Sequence, residues 1–276
     1  MRNSRQFWRP WWAQIIAGLI IVLLAVGPWL WLWLGQREQT MLPTSKSDAA
    51  GLIIIFAIIA LLGGWFTRVM GRRSTSFAIL TDIGVLLALV GLVFQWIWGD
   101  APEIFQGKVS DQLQAQFWAL GVVFVVSQVL YFLIAKLQLS IVALLVAALV
   151  LNVGQWLQMV ATYTPLEPEI YSSLIYVGAL ILGLVLGFLG FLQIWHLVVW
   201  VISLVIQWVM PAVISAVVAL LENPAGSVGA SLVKFGELSQ DAIGQTDWLI
   251  PSLVTLAVAM LVSVTLLIVR KAKRRS

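Results

Sequence analysis

YSSLIYVGALILGLVLGFLGFLQIWHLVVWVISLVIQWVMPAVISAVVALL, residues 171–221, contains no Asp, Glu, Lys or Arg in 51 positions. About a quarter of the residues in a soluble domain are charged, so a run of this length has no place in a water-facing protein. A bilayer core of about 30 Å takes roughly 20 helical residues. As one helix the 51 residues would extend roughly 75 Å at 1.5 Å each. The stretch therefore reads as two membrane-crossing helices joined by a turn. The polar cluster near its middle, Gln193-Ile194-Trp195-His196, is the predicted position of that turn.

The same length criterion, carried outward, picks out eight apolar segments: 13–34, 51–70, 77–98, 117–135, 140–162, 171–192, 197–221 and 249–269. The runs are continuous, whereas barrel strands would alternate over about ten residues, so helices are expected. The predicted fold class is all-α, a polytopic transmembrane helical bundle of about eight spans forming a single integral membrane domain over 1–276. The first run, Trp11 to Leu34, has no small-x-small cleavage site before Gly35-Gln36-Arg37-Glu38 and reads as a retained span.

The charges between these segments are sorted. Alternate gaps hold Arg2, Arg5, Arg9, Arg68, Arg72, Arg73, Lys136, Arg270, Lys271, Lys273, Arg274 and Arg275, with no acid. The other gaps hold eleven of the twelve acids and only Arg37, Lys46, Lys108 and Lys234. Lys and Arg are biased toward cytoplasmic loops, so both termini are predicted to face the cytoplasm. The expected location is a bacterial plasma (inner) membrane. Tryptophans fit the same depths: Trp8, Trp11, Trp12 and Trp65 at inner boundaries, Trp29, Trp31, Trp33, Trp96, Trp98, Trp118 and Trp248 at outer ones.

Composition removes several function classes. With 61% hydrophobic and 10% charged residues the chain has no room for a large soluble domain. The net charge of +4 lies in short basic runs beside spans, which suits anionic headgroups and not nucleic acid. Zero cysteines exclude disulfides, thiolate nucleophiles and thiolate metal sites. The single His196 has no second histidine, and no nucleophile elbow or phosphate-binding glycine loop is present. Catalytic residues, a metal site and cofactors are accordingly not expected.

Three groups of polar or small residues stand out inside the spans. Asp82 is the one acid within a span, about six residues into span three. If spans two and three form a hairpin, Arg68 stands at its depth, so an intramembrane Arg68–Asp82 ion pair, shared with Arg72, is expected. Proton or cation coupling at Asp82 is the alternative. Asn152, Gln155 and Gln158 recur on one side of span five, and Gln95 and Gln207, one turn before Pro211, are placed to face them. Their expected role is interhelical hydrogen bonding, with a polar cavity for an uncharged substrate as the alternative. Gly178, Gly183, Gly187 and Gly190 give span six a small-residue face for close helix packing.

Two further patterns concern architecture. A shift of 66 residues places Trp65-Phe66 on Tyr131-Phe132, Ser74 on Ser140, and Pro102-Glu103-Ile104-Phe105 on Pro168-Glu169-Ile170-Tyr171. Spans two and three would then recur as spans four and five, a parallel hairpin repeat. Between spans seven and eight, the outer loop 223–248 carries Val228, Leu232, Phe235, Leu238 and Ala242 at helical spacing opposite Lys234, Glu237 and Asp241. This is an amphipathic helix suited to the outer membrane surface.

Few buried polar groups, small-residue faces and no substrate-binding charges point to a non-catalytic accessory or scaffold subunit of a larger membrane complex. Its expected partners are the lipid bilayer and other membrane subunits or further copies of the chain. The alternative, carried by the span-five stripe and Pro211, is a permease or channel for a neutral or lipidic compound.

Overall fold

The computed structural model describes residues 10–36, 49–71, 74–100, 111–162, 167–222, 228–245 and 249–273, and among these every regular element is helical. The chain divides into two compact units, Met1–Leu137 and Gln138–Ser276.

The first unit holds α1 (Trp11–Ala25), α2 (Gly27–Gln36), α3 (Ala49–Met70), α4 (Thr75–Asp100) and α5 (Asp111–Lys136). The predicted first span is broken at Val26, which caps α1 with its N–H on Val22 O and Leu24 O. Pro28 follows two residues later, and with no N–H it cannot continue the ladder to Leu24 O. α1 packs on α4 where Gly18 meets Gly84: a Cβ on Gly18 would strike Thr81 O, and one on Gly84 would strike Ile15 O. α3 packs on α5 in parallel. Phe56 O accepts from Ser127 Oγ at 2.8 Å, Thr67 meets Tyr131 at 2.8 Å, and Arg68 reaches Leu137 O at 2.6 Å, so both partners advance together.

In the second unit, α6 (Leu139–Leu149) and α7 (Leu151–Ala161) are bent by 45° at Val150. Asn152 causes the bend locally: its Nδ2 donates to Leu149 O at 2.9 Å, taking an acceptor from the helical ladder. Next come α8 (Pro168–Ser173), a 3₁₀ turn at Leu174–Tyr176, α9 (Val177–Leu189), α10 (Ile194–Glu222), α11 (Val228–Gln245) and α12 (Leu249–Lys273). α9 and α12 run parallel, with Thr255 Oγ1 to Ala179 O at 3.2 Å and Ser263 Oγ to Gly187 O at 3.0 Å. α10 packs against α6 and α11.

Among the described residues five helical stretches are long and apolar enough to cross a membrane: α3, α4, the run Pro168–Leu189, α10 and α12. The bent α6–α7 pair makes a sixth, while predicted spans one and four fall on the shorter apolar stretches Trp11–Ala25 and Leu120–Lys136. The start of α5 is polar, with Asp111, Gln112, Gln114 and Gln116, which shortens its apolar part. Large apolar side chains stand open on the outer faces, such as Val90 at 66% and Leu261 at 69% exposure. Surfaces of this kind on long apolar helices are those of an integral membrane protein, with lipid as the covering phase.

Two architectural expectations meet the structure differently. The turn in 171–221 lies at residues 190–193, reaching the predicted cluster at Gln193, while Ile194, Trp195 and His196 open α10. Gly190 makes the turn, because φ 78 and ψ 173 are open essentially to glycine alone. Of the two hairpins in the 66-residue repeat, the second is divided between units, with α5 in the first and α6–α7 in the second. Residues 102–105 of that alignment lie outside the described residues.

Candidate functional site

A cavity of about 310 Å³ opens in the second unit where three helical irregularities meet the first turn of α12. Leu151 and Gln155 come from the start of α7, just past the 45° bend, and Ile175 and Tyr176 from the 3₁₀ turn. Gln207 and Pro211 come from α10, and Pro251 and Ser252 from the first turn of α12. Pro211 has no N–H to give the carbonyl four residues earlier, that of Gln207, so the α10 ladder is interrupted beside the cavity.

Gln207 is the centre of the site. It is only 3% exposed and lines the cavity. Its Oε1 accepts from Thr255 Oγ1 at 3.1 Å, and its Nε2 is buried with no hydrogen-bond partner. A buried amide left unmatched costs about 1–3 kcal/mol. The wall offers Gln155, Tyr176, Ser215 and Ser252 as further neutral donors and acceptors, and among the described residues no charged side chain lines it.

The predicted polar set is thus divided. Gln155 and Gln207 share the cavity, but Asn152 is 1% exposed and is spent on the α6–α7 bend. Gln158 Nε2 donates to Tyr171 O at 3.4 Å, tying α7 to α8. Gln95 lies on α4 in the first unit, whereas the cavity is lined wholly by second-unit residues. Ile175, Tyr176, Trp208 and Pro251 were missed by sequence reasoning; Gln155, Gln207 and the break at Pro211 marked this depth in the letters.

Arg68 and Asp82 are not each other's partners. Arg68 Nη1 donates to Ile134 O at 3.1 Å and Leu137 O at 2.6 Å, while Asp82 Oδ1 is buried with no hydrogen-bond partner. The expected pair assumed that consecutive helices face each other, but α3 lies chiefly along α5. There the guanidinium meets the carbonyls at the end of α5, which lack helical donors and carry the negative end of the helix dipole. Arg72 lies outside the described residues. Beside this contact, Tyr131, fully buried, joins three helices through Thr67 Oγ1 at 2.8 Å and Ala78 O at 2.9 Å.

The glycines of span six have two roles. A Cβ on Gly183 would lie 2.8 Å from Thr255 O, and one on Gly187 2.6 Å from Val262 Cβ, so both sit in the α9–α12 contact. Gly178 abuts Val150 O at 2.6 Å by the same measure. Gly190 has no neighbour within 4 Å and is a turn residue, not a packing one. On α11 the half-buried side includes Ser231, Lys234, Phe235 and Leu238, while Leu232 is 67% exposed; the packed face is therefore rotated from the purely apolar stripe.

No family model, curated protein or solved structure matches the chain.

Proposed function

We propose that the protein crosses the membrane eight times with both ends in the cytoplasm and holds an uncharged, hydrogen-bonding, largely apolar compound in the second-unit cavity, as a permease for that compound. The observation that carries this reading is Gln207, an amide 3% exposed whose Nε2 has no partner on the wall of a 310 Å³ cavity. Small-molecule sites are apolar hollows of about this size with a few convergent polar groups. With no charged residue among the described lining, an ionic ligand would leave water without a counter-charge there.

The crossing number is supported by helix direction. α3 and α5 run parallel, as do α9 and α12. Spans two and four, and spans six and eight, must be parallel if each predicted segment crosses once. The alternating sorting of Lys and Arg gives the orientation, and a bacterial plasma membrane remains the proposed location.

A second reading, a non-catalytic accessory subunit bound to other membrane chains or to copies of itself, is favoured by α11. Leu232 and Val233 are 67% and 64% exposed on a helix that also carries Lys234, Glu237 and Asp241. One experiment separates the two. The tagged protein is extracted from its native membrane in a mild detergent, and mass spectrometry reads proteins and small molecules in the same sample. The permease reading expects a neutral compound retained by the wild type and lost from Gln207→Leu. Stoichiometric protein partners with identical small-molecule content in both samples would replace it by the subunit reading.

A further inference from the structure

We propose that a second cavity, at the other end of α9, binds a phosphate group, with a phospholipid headgroup as its source. It has a volume of about 130 Å³, several times the roughly 30 Å³ share of one water. Two basic-type side chains from different helices stand on its wall: Arg270 from the end of α12 and His196 from the first turn of α10, with Gln193 beside them. Among the described residues no carboxylate lines it. The described acids of the second unit, Glu167, Glu169, Glu222, Glu237 and Asp241, belong to other segments, at the start of α8, the end of α10 and α11.

This combination selects the ligand. A guanidinium offers a planar fork of N–H donors that matches two phosphate oxygens at once. Gln193 adds an amide donor, and the His196 imidazole an N–H. The first bonds of α10 are His196 N to Gln193 O at 2.9 Å and Leu197 N to Gln193 O at 3.3 Å, as at the start of any helix. The rest of the wall is apolar, with Phe188, Leu266 and Leu267. A free phosphate ion gains nothing from such a surface, whereas a phospholipid places its glycerol and first methylenes there. Arg270 also heads the basic run Arg270–Arg275, where anionic lipid would gather. The site is independent of the Gln207 cavity, with which it shares no lining residue.

The test is native mass spectrometry of the purified full chain in detergent, titrated with phosphatidylglycerol, with inorganic phosphate as competitor. The wild type is expected to bind one phosphatidylglycerol more tightly than the rest. Arg270→Gln should weaken that binding about tenfold or more, the loss of a charge-assisted fork. Arg270→Gln with His196→Gln should weaken it further. Lys271→Gln, one residue along and outside the cavity, should leave it unchanged. Gel filtration and thermal unfolding verify that each variant is folded, and Gln207→Leu should bind phosphatidylglycerol as the wild type does. Displacement by millimolar inorganic phosphate would keep the phosphate site and make the free ion its source. Equal binding by Arg270→Gln and wild type, or equal weakening by Lys271→Gln, would overturn the site, the latter by reducing it to a diffuse surface charge.

Discussion

Replacing Gln207 with Leu separates a residue kept for a ligand from one kept for the fold. Among protein contacts the amide is poorly matched: Nε2 is buried without a partner, at a cost of about 1–3 kcal/mol. Its one contact is Thr255 Oγ1 to Oε1 at 3.1 Å, and Thr255 also has Ala179 O at 3.2 Å. A hydroxyl carries one proton, so Thr255 can serve only one of these acceptors at a time. Losing Gln207 therefore removes a shared bond, and polar contacts between membrane helices average about 0.6 kcal/mol. Leu has similar bulk and no polar atom. The net expectation for ligand-stripped protein is stability unchanged or raised by up to about 2 kcal/mol. The assay is unfolding in mixed micelles as a function of SDS mole fraction, run on stripped protein and again after adding back the neutral fraction of a native lipid extract. Wild type should gain stability in the second run, by about 2.7 kcal/mol if the ligand stands at a hundred times its dissociation constant. Gln207→Leu should gain little. Thr255→Val provides the contrast, because it strands both ends of the buried amide and should cost about 1–3 kcal/mol in the stripped protein. A loss above about 1 kcal/mol for stripped Gln207→Leu, with the ligand gain intact, would refute the reasoning and make Gln207 a structural residue.

Other substitutions test the packing. Gly187→Ala and Gly187→Leu should destabilise in order of size, with Leu costing about 2 kcal/mol or more, because any Cβ there meets Val262 at 2.6 Å. Gly190→Ala and Gly190→Leu should instead cost about the same, roughly 1–3 kcal/mol, since the penalty lies in the backbone at φ 78 and no neighbour is within 4 Å. Arg68→Gln should cost about 1–3 kcal/mol through the carbonyls of Ile134 and Leu137. In a double-mutant cycle with Asp82→Asn the coupling should stay below about 0.5 kcal/mol, and a larger favourable coupling would reinstate the ion pair. Tyr131→Phe should cost about 1–3 kcal/mol, because it orphans the buried Thr67 hydroxyl and frees Ala78 O from its second donor.

How much was legible in the letters depended on whether a property is local or relational. Length and charge placed helices on all eight predicted segments, because hydrophobic thickness is a one-dimensional constraint. Gly183 and Gly187, four apart, marked a helix face correctly, since spacing alone decides who shares a face. Gly190 continues the same series of small residues, yet the torsion at the turn decides its role, and composition does not reveal torsion. Helix partners were the least legible. Arg68 and Asp82 stand at matching depth in consecutive segments, but α3 runs along α5, a non-consecutive neighbour, and the guanidinium found helix-end carbonyls before it found a carboxylate. The polar stripe Asn152–Gln155–Gln158 was visible as a stripe, while its division among a bend, a cavity and a helix junction was not, because each outcome depends on what the neighbouring backbone leaves unpaired.

That dependence is also the strongest reason to place function at the Gln207 cavity. Within a bilayer, irregular backbone is tolerated only where protein covers it or where it borders a cavity, since lipid supplies no hydrogen bonds. The second unit departs from regular α-helix at the 45° bend before Leu151, at the 3₁₀ turn Leu174–Tyr176, and beside Pro211 in α10. Residues from all three irregular segments line the same 310 Å³ space, together with Pro251 at the head of α12. Asn152 and Pro211 cause two of these departures separately, so the convergence is not one defect propagated through neighbours. A scaffold whose only task was to pack would be more stable with Leu and Ala at Asn152, Gln207 and Pro211. Three separate concessions of helix stability around one unsatisfied amide are better accounted for by a compound that completes the hydrogen bonds when it arrives.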